Sequence, residues 1–207
     1  MPSFPSHRDP QALFDFLQQQ QAEQHSGLPP VEQWQPPLSG EMDMRIAADG
    51  TWYHQGSAIR RQAMVKLFSR ILKREDEDYF LVTPVEKWRI RVEDAPFVVV
   101  DFRVERAGGD DYRDPASGQA LVFNTQVEDE VVLGPDNPLW VREAETRTGS
   151  PRPYLRVRPG LDGLLHRNVY YRLVDLALQQ AEAGKKAEKK ADEKVGVWSL
   201  GHFFGLG

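Results

Sequence analysis

Residues 83–104 constrain the fold most, because they contain two runs with the two-residue period of β-strands. In the first run, apolar residues alternate with Arg89 and Arg91, which gives one apolar face and one cationic face. The second run, residues 97–104, is rich in β-branched side chains, and Pro96 just before it cannot donate a ladder hydrogen bond. Two strands separated by about four residues usually form a hairpin. The sequence therefore predicts an antiparallel hairpin at this point.

Other periodic patterns predict the remaining elements. Apolar residues recur at helical spacing over residues 9–24, 59–73 and 161–183. They fit strands at residues 42–46, 51–54, 79–82, 121–127, 130–133, 140–143 and 154–158. A polar loop is expected at residues 107–118, and a solvated, charge-mixed segment at residues 185–194.

A faint internal repeat suggests the domain organisation. Residues 52–72 and residues 154–178 both follow the order strand, glycine, helix. Helices do not alternate regularly with strands, which favours an α+β fold over a doubly wound sheet. We expect two related units of antiparallel strands, each with a packing helix, plus an N-terminal helix. The expected boundaries are 1–40 for this helix and a Pro-rich linker, 41–106 for the first unit and 107–207 for the second.

Composition excludes several classes of function. The chain has 207 residues and no Cys, so disulfides, thiolate zinc sites and cysteine nucleophiles are excluded, which fits a cytoplasmic protein. It has no apolar run long enough for a membrane helix. Its net charge of −5 gives no support to nucleic-acid binding. Nucleotide-binding and zinc-binding motifs are absent from the sequence, and we expect no cofactor and no bound metal.

Four arginines are the most informative candidate residues. Arg89 and Arg91 form one i, i+2 pair, and Arg156 and Arg158 form another, so each pair projects from one face of its strand. If the two strands are neighbours, four guanidiniums share a surface that suits a small anionic ligand or an acidic protein partner. The alternative is cross-strand ion pairing on a solvated sheet face, with Glu86, Asp101, Glu128 or Glu130 as the partners.

A second group of candidates suggests different chemistry. Glu93 and Asp94 lie in the predicted turn, and close carboxylates can bind a hard cation or act as acid and base. Together with His54 they would suit a metal-assisted hydrolase. The alternative is that Asp94 accepts hydrogen bonds within the turn and Glu93 is solvated or paired with an arginine.

The C-terminal residues 195–207 are apolar, aromatic and rich in glycine. A tail of this kind should dock on its own chain or on a partner. Trp198, Phe203 and Phe204 are its candidate partner-binding residues.

Several segments resemble one uncharacterised bacterial family, domain of unknown function 1285. They are DGTWYHQGSAI, LFSRIL, LVTPVEKWRIRVEDAPF, PYLRVRPGL and GVWSLGHFFGLG. The resemblance covers about residues 46–207. The resemblance implies an α+β fold with repeated structural motifs and a suggested role in signal transduction. It implies no catalytic residues that can be transferred to this chain.

These observations favour a non-enzymatic module that binds a small anionic ligand or a protein partner, and they assign no catalytic residue. A metal-assisted hydrolase and a structural homodimer are the alternative hypotheses.

Overall fold

A computed structural model of the protein describes residues 9–23, 27–106, 118–142, 151–184 and 195–207. The expected charged segment at residues 185–194 and all but the last residue of the expected polar loop lie outside these ranges. The chain divides into two compact units, Met1–Pro96 and Phe97–Gly207. The division therefore lies between Pro96 and Phe97, and not after residue 106 as we expected.

In its described part, the first unit contains two α-helices and six strands. They are α1 (Pro10–Glu23), β1 (Leu38–Ile46), β2 (Trp52–His54), β3 (Ser57–Ala58), α2 (Gln62–Arg70), β4 (Leu72–Glu75), β5 (Asp78–Val82) and β6 (Lys87–Val92). A short 3-10 helix, Val31–Gln33, lies in the Pro-rich linker.

Helix α1 follows its predicted bounds closely. The carboxylate of Asp9 accepts a backbone hydrogen bond from the first turn (3.3 Å), as expected of a residue that caps a helix. Leu13, Phe14 and Leu17 are buried, and the helix packs on α2. Helix α1 is thus a packing helix of the first unit.

The first sheet has the strand order β3-β2-β1-β6-β5-β4. Its first and last strands, β1 and β6, lie parallel at the centre, and every other pair is antiparallel. Trp52 of β2 contacts Phe68 of α2, with 6.3 Å between ring centroids. The apolar face therefore packs under α2, and strand alternation places the charged side chains on the opposite face.

The second unit contains eight strands and one helix in its described part. They are β7 (Phe97–Arg106), β8 (Gln119–Thr125), β9 (Glu130–Val132), β10 (Leu139–Arg142), β11 (Arg152–Arg158), β12 (Leu161–Leu165), α3 (Arg167–Gly184), β13 (Gly196–Ser199) and β14 (His202–Gly205). Six of the strands form a sheet in the order β10-β11-β12-β7-β8-β9, with β7 and β12 parallel at its centre.

The two six-stranded sheets repeat the same strand order. Numbered within its own unit, each sheet follows the order third, second, first, sixth, fifth, fourth. This confirms the predicted α+β fold with two related units. The helices do not correspond, because α2 follows the third strand of its unit and α3 follows the sixth. The strand–glycine–helix segments that we matched in the sequence are therefore not equivalent.

The predicted hairpin between residues 83 and 104 is wrong, although both of its strands exist. Strand β6 pairs with β1 and β5, and β7 pairs with β8 and β12. Each strand is thus a central strand of a different sheet. Both edges of β6 are occupied, so β7 has no edge of β6 with which to pair.

Two predicted helix ends are also strands. The helix predicted for residues 59–73 ends at Arg70, and Leu72–Glu75 forms β4. The helix predicted for residues 161–183 begins at Arg167, because Leu161–Leu165 forms β12. In β12 every second residue is buried, which is the period of a strand.

The C-terminal tail docks on its own unit as the hairpin β13–β14. Val197, Phe204 and Leu206 are buried. The hydroxyl of Ser199 accepts a hydrogen bond from the N–H of Leu121 (3.0 Å) and donates one to the carbonyl of Leu133 (2.7 Å). The tail is therefore part of the second unit's core.

Candidate functional site

The four candidate arginines lie on strands of different sheets. Arg89 and Arg91 belong to β6 in the first sheet, and Arg156 and Arg158 belong to β11 in the second. The two strands are not neighbours, so the condition for a surface shared by four adjacent guanidiniums is not met. Each pair has to be considered within its own unit.

In the first unit, the arginines lie in a network of opposite charges. Arg89 forms ion pairs with Asp78 (3.1 Å) and Glu41 (3.6 Å), and Arg91 pairs with Asp43 (3.6 Å). The alternative of ion pairing on a sheet face therefore holds for this pair, but its expected partners were wrong: the carboxylates belong to the neighbouring strands β1 and β5. Because these side chains are largely exposed, each pair contributes only about 0–1 kcal/mol to stability.

The structure does not form the hydrolase site for which Glu93, Asp94 and His54 were the candidates. The carboxylate of Glu93 accepts hydrogen bonds from the guanidinium of Arg45 and from the N–H of Ala48. His54 lies opposite Met44 in the β1–β2 ladder. Since alternate residues of a strand point to opposite faces, His54 and Arg45 lie on different faces of the sheet. Asp94 follows Glu93 in the turn after β6. The described residues contain no group of three or more His, Asp or Glu side chains that could hold a metal ion.

A lysine–carboxylate cluster lies at the edge of the first sheet. The ammonium of Lys87 donates a hydrogen bond to Glu75 (2.6 Å), and that of Lys73 lies 3.4 Å from the same carboxylate. Lys73 also donates to the carbonyl of Trp34 (3.3 Å). The hydrogen bond from Lys87 is the main cause that lowers the pKa of Glu75. The cluster joins the Pro-rich linker to β4, which is a structural role.

In the second unit, Arg158 is held by its surroundings. It donates a hydrogen bond to Asp129 (2.5 Å), and its guanidinium lies 5.2 Å from the centre of the Phe97 ring. Only 11% of its side chain is exposed. Arg158 therefore joins β11 to the turn before β9 and presents little of its charge to solvent.

Arg156 lies instead beside two stacked aromatic rings. The rings of Trp140 and Tyr154 are directly opposite each other on β10 and β11, with centroids 5.9 Å apart and planes at 19°. The guanidinium of Arg156 lies 5.7 Å from the Trp140 ring, and that of Arg142 lies 4.9 Å from the Tyr154 ring. We call Trp140, Arg142, Tyr154 and Arg156 the arginine–aromatic cluster.

One arginine of the cluster is paired with a carboxylate and the other is exposed. Arg156 donates a hydrogen bond to Asp162 (2.5 Å), directly opposite on β12. Arg142 is exposed, and no ion pair of its side chain occurs within the described part of the chain. A guanidinium that rests on an aromatic ring keeps its N–H groups available at the edge for a carboxylate or phosphate.

Sequence reasoning identified Arg156 and missed the other members of the cluster as site residues. The signal was present, since Trp140 and Arg142 alternate as Tyr154 and Arg156 do. Only the register between β10 and β11 places these four side chains beside one another on one face of the sheet.

The candidate tail residues have different environments. Phe204 is buried, Trp198 is partly exposed and Phe203 is 42% exposed. Trp198 and Phe203 face each other across the hairpin in an edge-to-face arrangement, with centroids 5.3 Å apart.

No helix among the described residues has the length and apolar character needed to cross a membrane.

Comparisons with known proteins identify the family. The family "Domain of unknown function (DUF1285), N-terminal domain" matches residues 29–95, and "Protein of unknown function (DUF1285), C-terminal domain" matches residues 96–206. Their junction coincides to within one residue with the division between the two compact units. A comparison with functionally curated proteins found no match.

Two solved structures are similar to the chain. The crystal structure of a DUF1285 family protein from Silicibacter pomeroyi DSS-3 is 43% identical, with coverage of 97% of this chain and 96% of that chain and a TM-score of 0.77. A DUF1285 family protein from Shewanella baltica OS155 is 33% identical, with coverage of 64% and 91% and a TM-score of 0.48. The two family matches together span nearly the whole sequence, and the chain therefore belongs to the DUF1285 family.

Proposed function

We propose that the protein is a non-enzymatic binding module that recognises an anionic group through the arginine–aromatic cluster of its second unit. One observation carries the proposal: two stacked rings with a guanidinium beside each. A role in signal transduction, which the family resemblance implies, would suit a protein that acts by binding.

The chemistry of the cluster suits recognition. Trp, Tyr and Arg are the side chains that most often dominate binding energy at protein interfaces. Stacking on a ring restricts a guanidinium before the ligand arrives, so less conformational entropy is lost on binding. The exposed charge of Arg142 then provides the attraction for an anion.

The first sheet makes a weaker candidate. Its exposed arginines face carboxylates on adjacent strands, so an incoming anion would compete with Asp78 for Arg89 and with Asp43 for Arg91. In the cluster, the described carboxylate partner is Asp162, which serves Arg156. Among the described residues, the second sheet therefore offers more uncompensated positive charge beside its aromatic rings.

Binding of a fluorescein-labelled hexaglutamate peptide, measured by fluorescence anisotropy at low salt, tests the proposal. We expect Arg142→Glu to weaken binding more than about tenfold, which corresponds to 1.4 kcal/mol. Inorganic phosphate and free glutamate, used as competitors, show whether an isolated anion is sufficient.

Arg91→Glu is the matched control, because it changes the net charge equally and its side chain is 75% exposed on the first sheet. We expect less than about a twofold change for this variant. Equal loss in both variants, or no binding by the native protein, would overturn the proposal. Circular dichroism confirms that each variant is folded, and Arg142→Gln replaces Arg142→Glu if the latter is not.

A further inference from the structure

Strand β10 forms one end of the second sheet. It pairs with β11 on one side, and no described strand pairs with its other side. Strand β14 lies near β10 but forms a separate two-stranded sheet with β13. An edge of this kind presents backbone N–H and C=O groups that can pair with another chain.

The ladder fixes which backbone groups point outward from β10. In an antiparallel pair, opposed residues alternate between those that exchange hydrogen bonds and those that do not. Val141 lies opposite Pro153, which has no N–H to donate. The N–H of Arg156 donates to the carbonyl of Pro138 (2.9 Å), so these two opposed residues are a hydrogen-bonded pair. Counted from there along the ladder, Val141 and Pro153 are a pair that exchanges no hydrogen bonds. Val141 therefore directs its N–H and C=O away from β11, toward the outer edge.

The side chains beside this edge are aromatic and cationic. Trp140 and Arg142 point to one face of β10, where they meet Tyr154 and Arg152 on β11. Arg142 and Arg152 are directly opposite each other in the ladder. An anionic side chain on an added strand would lie opposite Arg142 from the other side and attract it.

Resting on the function proposed above, we propose that β10 accepts an extended acidic segment of a partner protein as an additional strand of the second sheet. The backbone of the segment pairs with the outward groups of Val141. Alternate side chains of a strand lie on one face, so every second residue of the segment reaches the face that carries Arg142. Acidic residues at those positions complement the arginines.

The probe for this proposal is a fluorescein-labelled peptide of about eight residues in which Glu and Thr alternate. We expect the full chain to bind this peptide. Val141→Pro should weaken binding more than about tenfold, because proline removes the outward N–H and leaves the hydrogen bonds between β10 and β11 in place.

Val132→Pro is the matched control on the opposite edge of the same sheet. The N–H of Leu133 donates to the carbonyl of Leu121 (2.8 Å), and that of Thr125 donates to the carbonyl of Asp129 (3.0 Å). By the same alternation, Val132 directs its N–H away from β8. It is also an exposed valine, and its replacement should change binding less than about twofold.

The outcomes separate this proposal from the proposed function. If Arg142→Glu abolishes binding but Val141→Pro does not, the cluster binds anions and strand addition is overturned. If neither variant changes binding, both proposals fail. Should Val141→Pro not fold, a peptide N-methylated at alternate residues decides the question: strand addition predicts that one of the two methylation phases binds at least about tenfold more weakly.

Discussion

The two units have sheets with the same strand order, but they stabilise the two faces of those sheets differently. In the first unit, α2 interrupts the strand sequence and covers the apolar face, α1 packs on α2, and ion pairs hold the charged face. In the second, elements that follow all six strands contribute to the core, and the other face carries stacked rings with arginines. One topology thus supports a face of ion pairs in one unit and a face that combines ion pairs with the arginine–aromatic cluster in the other.

This difference makes the second unit dependent on the end of the chain. Val197 is fully buried, and Ser199 replaces a direct hydrogen bond of the β8–β9 ladder with two bonds through its hydroxyl. The first unit has no counterpart of this hairpin in its described part. A defect confined to residues 195–207 should therefore destabilise the second unit alone.

Gly196→Ala should produce the largest effect. A Cβ at Gly196 would lie 2.4 Å from the Phe203 ring and 2.5 Å from the carbonyl oxygen of Phe204. The ring can move, but the backbone oxygen cannot move without distortion of the hairpin. We expect a loss of about 3 kcal/mol in the free energy of unfolding, at the upper end for overpacked sites.

Gly205→Ala is the control in the same hairpin. Gly205 is directly opposite Gly196, and a Cβ there would meet no atom within 4 Å. Urea unfolding should show a change below about 0.5 kcal/mol for this variant. Equal effects of the two substitutions would contradict the close pairing of β13 with β14 in the tail.

The coupling free energy between the two partners of an ion pair should be larger for Arg158–Asp129 in the second unit than for Arg91–Asp43 in the first. Arg158 and Asp129 have side chains that are 11% and 22% exposed, whereas Arg91 and Asp43 are 75% and 61% exposed. Solvent screens the second pair far more strongly. Double-mutant cycles with Arg→Gln and Asp→Asn should give a coupling of about 2 kcal/mol for Arg158–Asp129. The coupling of Arg91–Asp43 should be at most about 0.5 kcal/mol. A reversed order would contradict the difference drawn between the two units.

Local patterns predicted most strands, because alternation is visible within a few residues. They could not predict how strands β6 and β7 pair. Each is parallel to a strand far away in sequence, and parallel pairing leaves no turn signal. The short connection around Pro96 favoured a hairpin, and long-range pairing within each unit overrode it.

The candidate site was less predictable than the fold. Arg156 was found from its alternation with apolar residues, but its position near Trp140 depends on the register between β10 and β11. That register pairs residues on either side of a nine-residue connection, which is too long for a two-residue turn to fix the pairing. Similarly, the sequence left open whether Glu93 serves a metal site, is solvated or pairs with an arginine, and only the fold identifies Arg45 as its partner.

The smallest effect concerns pH and the lysine–carboxylate cluster of the first unit. The hydrogen bond from Lys87, with smaller contributions from the charges of Lys87 and Lys73, lowers the pKa of Glu75 in the folded protein. A carboxylate with a lowered folded pKa stabilises the protein above its unfolded pKa, and this contribution disappears as the pH falls through the folded value. Glu75→Gln should therefore destabilise the first unit near pH 6, and its difference from the native protein should shrink below about pH 4. Urea unfolding across this range, followed separately for each unit by hydrogen exchange, provides the measurement. A difference that grows on acidification, or one that appears in the second unit, would show that Glu75 does not stabilise the first sheet through these lysines.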